Sequence, residues 1–162
     1  MRQILIAALL SFVAPAAHAE QWMYEDLGTP IAYVDNGKAQ FQFACRGGDL
    51  AMGFWVRAPH KAVASASSMH VAILPDPKAG ADIASASTAS FAQDMPLIHS
   101  DGTSVIVRGP VARSWAGIAQ RAQSTIRVAY MRKQGAIDIF DSNEFGAAGS
   151  SAAIKRVMDR CG

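Results

Sequence analysis

The chain has 162 residues, 51% of them hydrophobic, and 15 Lys and Arg stand against 13 Asp and Glu for a formal net charge of +2. That length fits one domain with a buried core of its own. A near-neutral balance with no Lys/Arg-rich stretch excludes a phosphate-tracking surface, so nucleic acid is not an expected partner.

The first segment reads as an export signal. Met1-Arg2 is a short positive start, and Ile4 to Val13 is an apolar run. The run falls within the ~7–15 residues of a secretory h-region and well short of the ~20 that span a bilayer. Pro15 breaks the helix, and Ala17-His18-Ala19 is a small-x-small cleavage site. Residues 1–19 are therefore expected to be a cleavable signal peptide, with Glu20 as the mature N-terminus and residues 20–162 as a single β-rich domain. No Cys sits at the cleavage point and no twin Arg precedes it, which fits ordinary Sec-type export to the periplasm or beyond. Cleavage removes one cation, Arg2, and leaves the formal charge at +1. No later apolar run approaches membrane-spanning length, so no transmembrane segment is expected in the mature chain.

Export decides how the two cysteines are read. In an oxidising compartment Cys45 and Cys161 are expected to form a structural disulfide, and without C-x-x-C spacing a catalytic one is not expected. Closing so long a loop is worth roughly 4–5 kcal/mol in the chain-entropy model.

Along the chain, Ile31 to Val34 is strand-like, and Asn36-Gly37 signals a type I′ hairpin. Ala39, Phe41, Phe43 and Cys45 then alternate with Gln40 and Gln42, the mark of a strand with one buried side. Arg46-Gly47-Gly48-Asp49 turns the chain, and Leu50, Met52, Phe54 and Val56 resume the alternation. Residues 31–56 are thus expected to be a three-stranded antiparallel meander. Met69 to Leu74 is a short apolar strand ended by Pro75-Asp76-Pro77. The small-residue stretch of residues 78–95 supports either a weak strand with loops or a poorly packed helix, while Val105 to Val107 reads as a strand following the Asp101-Gly102 turn.

Pro110 suits a first helical turn, and Val111, Trp115, Ile118, Ala119 and Ala122 fall at helical spacing over 111–122. Thr125 to Met131 alternates with Ile126, Val128 and Tyr130 on one side. Gln134-Gly135 turns the chain, and Ile137 to Phe140 returns as a hairpin partner. At the end, Ser150 or Ser151 can cap a helix whose apolar stripe is Ile154, Val157, Met158 and Cys161. The fold class expected is β-rich: an antiparallel β-sandwich, or an α+β arrangement, with a short C-terminal helix. Cys161 on that helix and Cys45 on the meander would staple the two together.

No catalytic constellation is legible. His60, His70 and His99 lack metal-ligand spacing, no serine sits in G-x-S-x-G, and Gly47-Gly48 and Gly146 form neither G-x-G-x-x-G nor a P-loop. Asp76, Asp82, Asp94 and Asp101 are scattered, although carboxylate pairs meet in space and not in sequence. The chain is accordingly expected to be no enzyme and to use no metal or cofactor. The surface residues that stand out are Trp55 and Arg57. If Met52, Phe54 and Val56 face the core, Trp55 faces outward beside Arg57, either as a contact anchor or packed beneath a loop or a second layer.

The N-terminal Trp22 ahead of the strands, the alternating strand ending in Cys45, and the tail from Gly149 to Cys161 together resemble small exported Gram-negative envelope proteins. The invasion-associated locus B family, like certain type VI secretion-associated periplasmic proteins, has this general form. There a β-sandwich is closed by a helix of the pattern Gly-Ser-x-x-Ala-Ile-x-x-Val-x-x-x-Cys. The resemblance covers mainly residues 39–56 and 124–161, and this chain departs from it in its low-complexity middle and in having only two cysteines. It implies a non-enzymatic envelope protein and carries over no functional residue beyond the cysteine pair. The function expected is a periplasmic or secreted binding or accessory protein whose partner is another envelope protein. The alternative is an inhibitor of a secreted hydrolase such as lysozyme.

Overall fold

The structure, a computed structural model, describes residues 21–161. The expected signal peptide and its cleavage site before Glu20 lie outside the described residues. The elements, in chain order, are β1 (Met23–Asp26), β2 (Pro30–Asp35), β3 (Ala39–Arg46), β4 (Asp49–Val56), α1 (Lys61–Ala64), β5 (Ser68–Pro75), β6 (Ser90–His99), β7 (Thr103–Arg108), α2 (Gly109–Arg121), β8 (Thr125–Gln134), β9 (Ala136–Gly146) and α3 (Ser150–Met158).

The meander forms where alternation places it. Phe41 faces Phe54, Phe43 faces Met52 and Cys45 faces Leu50, all buried. Its turns differ from expectation in one respect. Asn36 keeps a negative φ, and its side-chain oxygen accepts bonds from the N–H groups of Lys38 and Ala39, so only Gly37 has the left-handed conformation and the turn is not type I′. The two-residue turn with both central φ angles positive, 62° and 84°, sits instead at Gly47-Gly48.

All neighbouring strands pair antiparallel, in the order β1-β2-β3-β4-β7-β6-β5-β8-β9. The protein is thus β-rich with a short C-terminal helix, but its strands form one curled sheet and not two separate ones. β6 makes the curl continuous: Ser90 to Pro96 pairs with β5, and Leu97 to His99 pairs with β7. The two limbs then pack face to face. Phe41 of β3 meets Phe145 of β9 at 5.8 Å, and Phe54 of β4 meets Tyr130 of β8 at 5.0 Å. The Tyr130 hydroxyl donates to the Phe54 and Thr103 carbonyls across this core, and burial pushes its pKa up.

The ends of the curl are tied at the N-terminal side. The Trp22 backbone N–H donates to Ala148, its indole N–H donates to Gly146, and its ring stacks on Phe43. Asn36 donates to Asn143 and to the Glu144 carbonyl. Two helices cover the inner residues. α2 buries Ala112, Trp115, Ala116 and Ala119, while Val111, expected on its inner stripe, is exposed and Ile118 is only partly buried. α3 buries Ile154 and Val157 as its stripe implies and Ala153 besides, while Met158 is only partly buried and Cys161, expected on the helix, lies buried just beyond its end. Its N-cap is Gly149, in the left-handed conformation. Ser150, one of the two expected caps, is buried and donates to the Ala119 carbonyl, pinning α3 to α2.

The open middle segment resolves into two parts. β6 is a strand from Ser90, and residues 76–89 form a cap of turns over the outer side of β5 and β8. There Ile83 and several alanines bury Ala72, Leu74, Ala129 and Met131 as a second small core. Asp76 anchors this cap. Its carboxylate accepts from the N–H groups of Gln123, Ser124 and Thr125 and from the Ser124 hydroxyl. Burial alone would raise the Asp76 carboxyl, but these bonds outweigh it and hold the pKa below the ordinary value.

Candidate functional site

Cys45 and Cys161 form a disulfide, with Cα atoms 5.5 Å apart and a separation of 116 positions in sequence. Both are buried, one at the end of β3 and the other just beyond α3. The bridge therefore ties the C-terminal helix to the meander, and both cysteines serve the scaffold.

The outer face of β3, β4 and β7 carries the surface pair that sequence singles out. Trp55 lies on that face, half-buried, opposite Gln40 on one side and Ser104 on the other. Its indole N–H donates to the Asp101 carbonyl at 2.9 Å. The Arg57 guanidinium lies 4.6 Å from the ring centroid and binds the Asp35 carboxylate through both terminal nitrogens. Burial would raise the Asp35 carboxyl, but Arg57 and the Gly37 N–H hold it below the usual range. Both groups are thus fixed before any partner arrives, which removes an ordering cost from binding. The exposed side chains of Ile98 and Ile106 flank the tryptophan, and Gln40 and Gln42 are joined by a hydrogen bond beside it. Neither the Asp101-Gly102 tether nor the Asp35 clamp has a signal in the sequence, because both close over long separations.

A second concavity lies on the outer side of the other limb. This cleft of about 200 Å³ is lined by His70, Phe91, Gln93, Met131, Lys133 and Ile137, among others. Trp55 is not among the lining residues, so the structure does not join it with the histidines in one site. The three histidines are separate and each has a local role. His60 caps α1 by accepting from the Ala62 N–H. His70 accepts from the Asp94 N–H. His99 lies 2.8 Å from the Ala66 carbonyl through Nε2 and 3.0 Å from the Thr103 hydroxyl through Nδ1. A carbonyl only accepts, so Nε2 of His99 carries a proton.

Among the described residues, no group of three His, Cys, Asp or Glu side chains is placed to hold a metal ion. No described helix is long and apolar enough to cross a membrane. The Trp55 face presents a half-buried indole with the ion-paired Arg57 guanidinium over its ring, beside a glutamine pair. No family model matches the chain, and neither a curated protein nor a solved structure matches it.

Proposed function

We propose that the chain is a non-enzymatic, exported binding or accessory protein of the bacterial cell envelope that engages another envelope protein through the Trp55–Arg57 face. The observation that carries this reading is the immobilisation of an outward-facing tryptophan, by the Asp101 carbonyl at its indole nitrogen and by the Asp35-paired Arg57 over its ring. Aromatic and Arg anchors that are already ordered are the usual sources of interface energy. A disulfide across the whole domain fits an oxidising compartment, and the resemblance to the invasion-associated locus B family points the same way.

The test is site-specific cross-linking in envelope extracts from a photoreactive residue at position 106, beside Trp55. One partner should be captured by the wild-type surface and lost with Trp55→Ala. Capture that Trp55→Ala leaves unchanged would sink the assignment of this face.

One feature favours the inhibitor reading as second choice. The turn at Asp101-Gly102 is exposed at Asp101, carries a carboxylate, and is locked to Trp55, as a loop that plugs a hydrolase cleft must be. Lysozyme activity unaffected by excess protein would end that reading for lysozyme.

A further inference from the structure

The two edges of the sheet are defended very differently. β1, the first edge, has only four residues, two of them acidic, and Arg160 and Arg156 of the C-terminal segment lie against Asp26 and Tyr24. Short, charged and covered edges resist pairing with other chains. β9, the last strand in the order, runs eleven residues and pairs among the described residues only with β8. Its register shifts at Asp141, which has a φ of 47°. At and beyond that bend, Asn36 and His60 contact residues 140–144, the His60 ring lying 5.1 Å from that of Phe140. Before it, Ala136 to Ile139 are all exposed, and Ile137 and Ile139 point to the same outer face at 44% and 38% exposure. Asp138 faces the other way, 3.7 Å from Arg132, with half its side chain in solvent.

We propose that residues 136–140 of β9 accept an added strand from a partner protein. The segment they fit is extended, with a basic residue between two apolar ones. Backbone pairing supplies the affinity, as in other strand-addition complexes, and alternate side chains supply the selectivity. The apolar pair would sit beside Ile137 and Ile139 on the outer face, and the basic residue would sit opposite Asp138 on the inner face. The same pattern argues against a second copy of this chain as the occupant. The antiparallel register that sets Ile137 opposite Ile139 of a second copy also sets Asp138 opposite Asp138, and like charges directly opposite disfavour pairing. The edge shares no residue with the Trp55 face and does not depend on it.

The test is an NMR titration of the isotope-labelled protein with two probes, acetyl-Thr-Val-Lys-Val-Thr-amide and the same peptide with Glu for Lys. The Lys peptide should shift the amides of residues 136–140 and slow their hydrogen exchange. It should bind about fivefold tighter than the Glu peptide at low salt, and the gap should narrow as salt is added. Asp138→Lys should reverse the preference. Peptides that leave amides 136–140 unmoved, or that bind with equal strength to the wild-type protein, would overturn the proposal, as would self-association through this edge. The wild-type comparison decides the matter even if the variant folds poorly.

Discussion

Single residues carry several of the fold's sharpest constraints. Gly102 has a φ of 113°, and a Cβ there would lie 2.2 Å from the Val56 carbonyl oxygen and 2.9 Å from the Trp55 indole nitrogen. Gly102→Ala is therefore expected to cost about 2–4 kcal/mol in urea unfolding and to loosen Trp55, seen as a shifted tryptophan fluorescence. Asp76 is a second such residue. Its folded pKa is depressed, so its contribution is complete above the unfolded pKa of about 4 and is lost as pH falls through the folded value. Asp76→Asn tolerates the left-handed backbone at this position but keeps one acceptor oxygen and no charge. It should cost about 1–2 kcal/mol at pH 7 and flatten the loss of stability below pH 4, both measurable by denaturant unfolding at a series of pH values. Neither role was legible in the sequence. Gly102 and Asp76 read there as ordinary turn residues, since the atoms they meet lie 46 to 49 positions away or across a neighbouring strand.

Elements were legible wherever large apolar residues set the period. The alternation of Phe41, Phe43, Leu50, Met52 and Phe54 places the meander, and Ile154 and Val157 place the buried side of α3. Where small residues dominate, the pattern misleads. α2 turns Ala112, Ala116 and Ala119 inward beside Trp115, because alanine lets the helix sit close to β4 and to α3, while the bulkier Val111 faces water. Ala116→Leu should thus overpack the interface and cost about 1–3 kcal/mol in thermal or urea unfolding. Val111→Ala should cost less than about 1 kcal/mol. The opposite ranking would restore the stripe read from the sequence. The cap over 76–89 was illegible for the same reason. Its core is Ile83 among alanines, and what orders it is the hold of residues 123–125 on Asp76 and the outer face of β8, both distant in sequence.

At the scale of the whole molecule, the chain is a sheet curled on itself, tied at one seam by Trp22 and Asn36 and at the other end of the chain by Cys45–Cys161. The staple was legible because the sequence has only two cysteines and the expected export makes them a pair. The closing of the curl was not, since β6 shares itself between β5 and β7 through residues with no strong period. The bridge confines a loop spanning most of the domain, so its reduction should lower the melting temperature by on the order of 10 °C. Binding through a fixed surface in an oxidising compartment rests on the chain being exported and oxidised. Intact-mass and peptide-level mass spectrometry of the protein taken from periplasmic extract under non-reducing conditions tests this most directly. The expected result is a chain beginning at Glu20, two hydrogens lighter than its reduced form, with the Cys45 and Cys161 peptides linked. A chain that retains Met1 and carries two free thiols would contradict it.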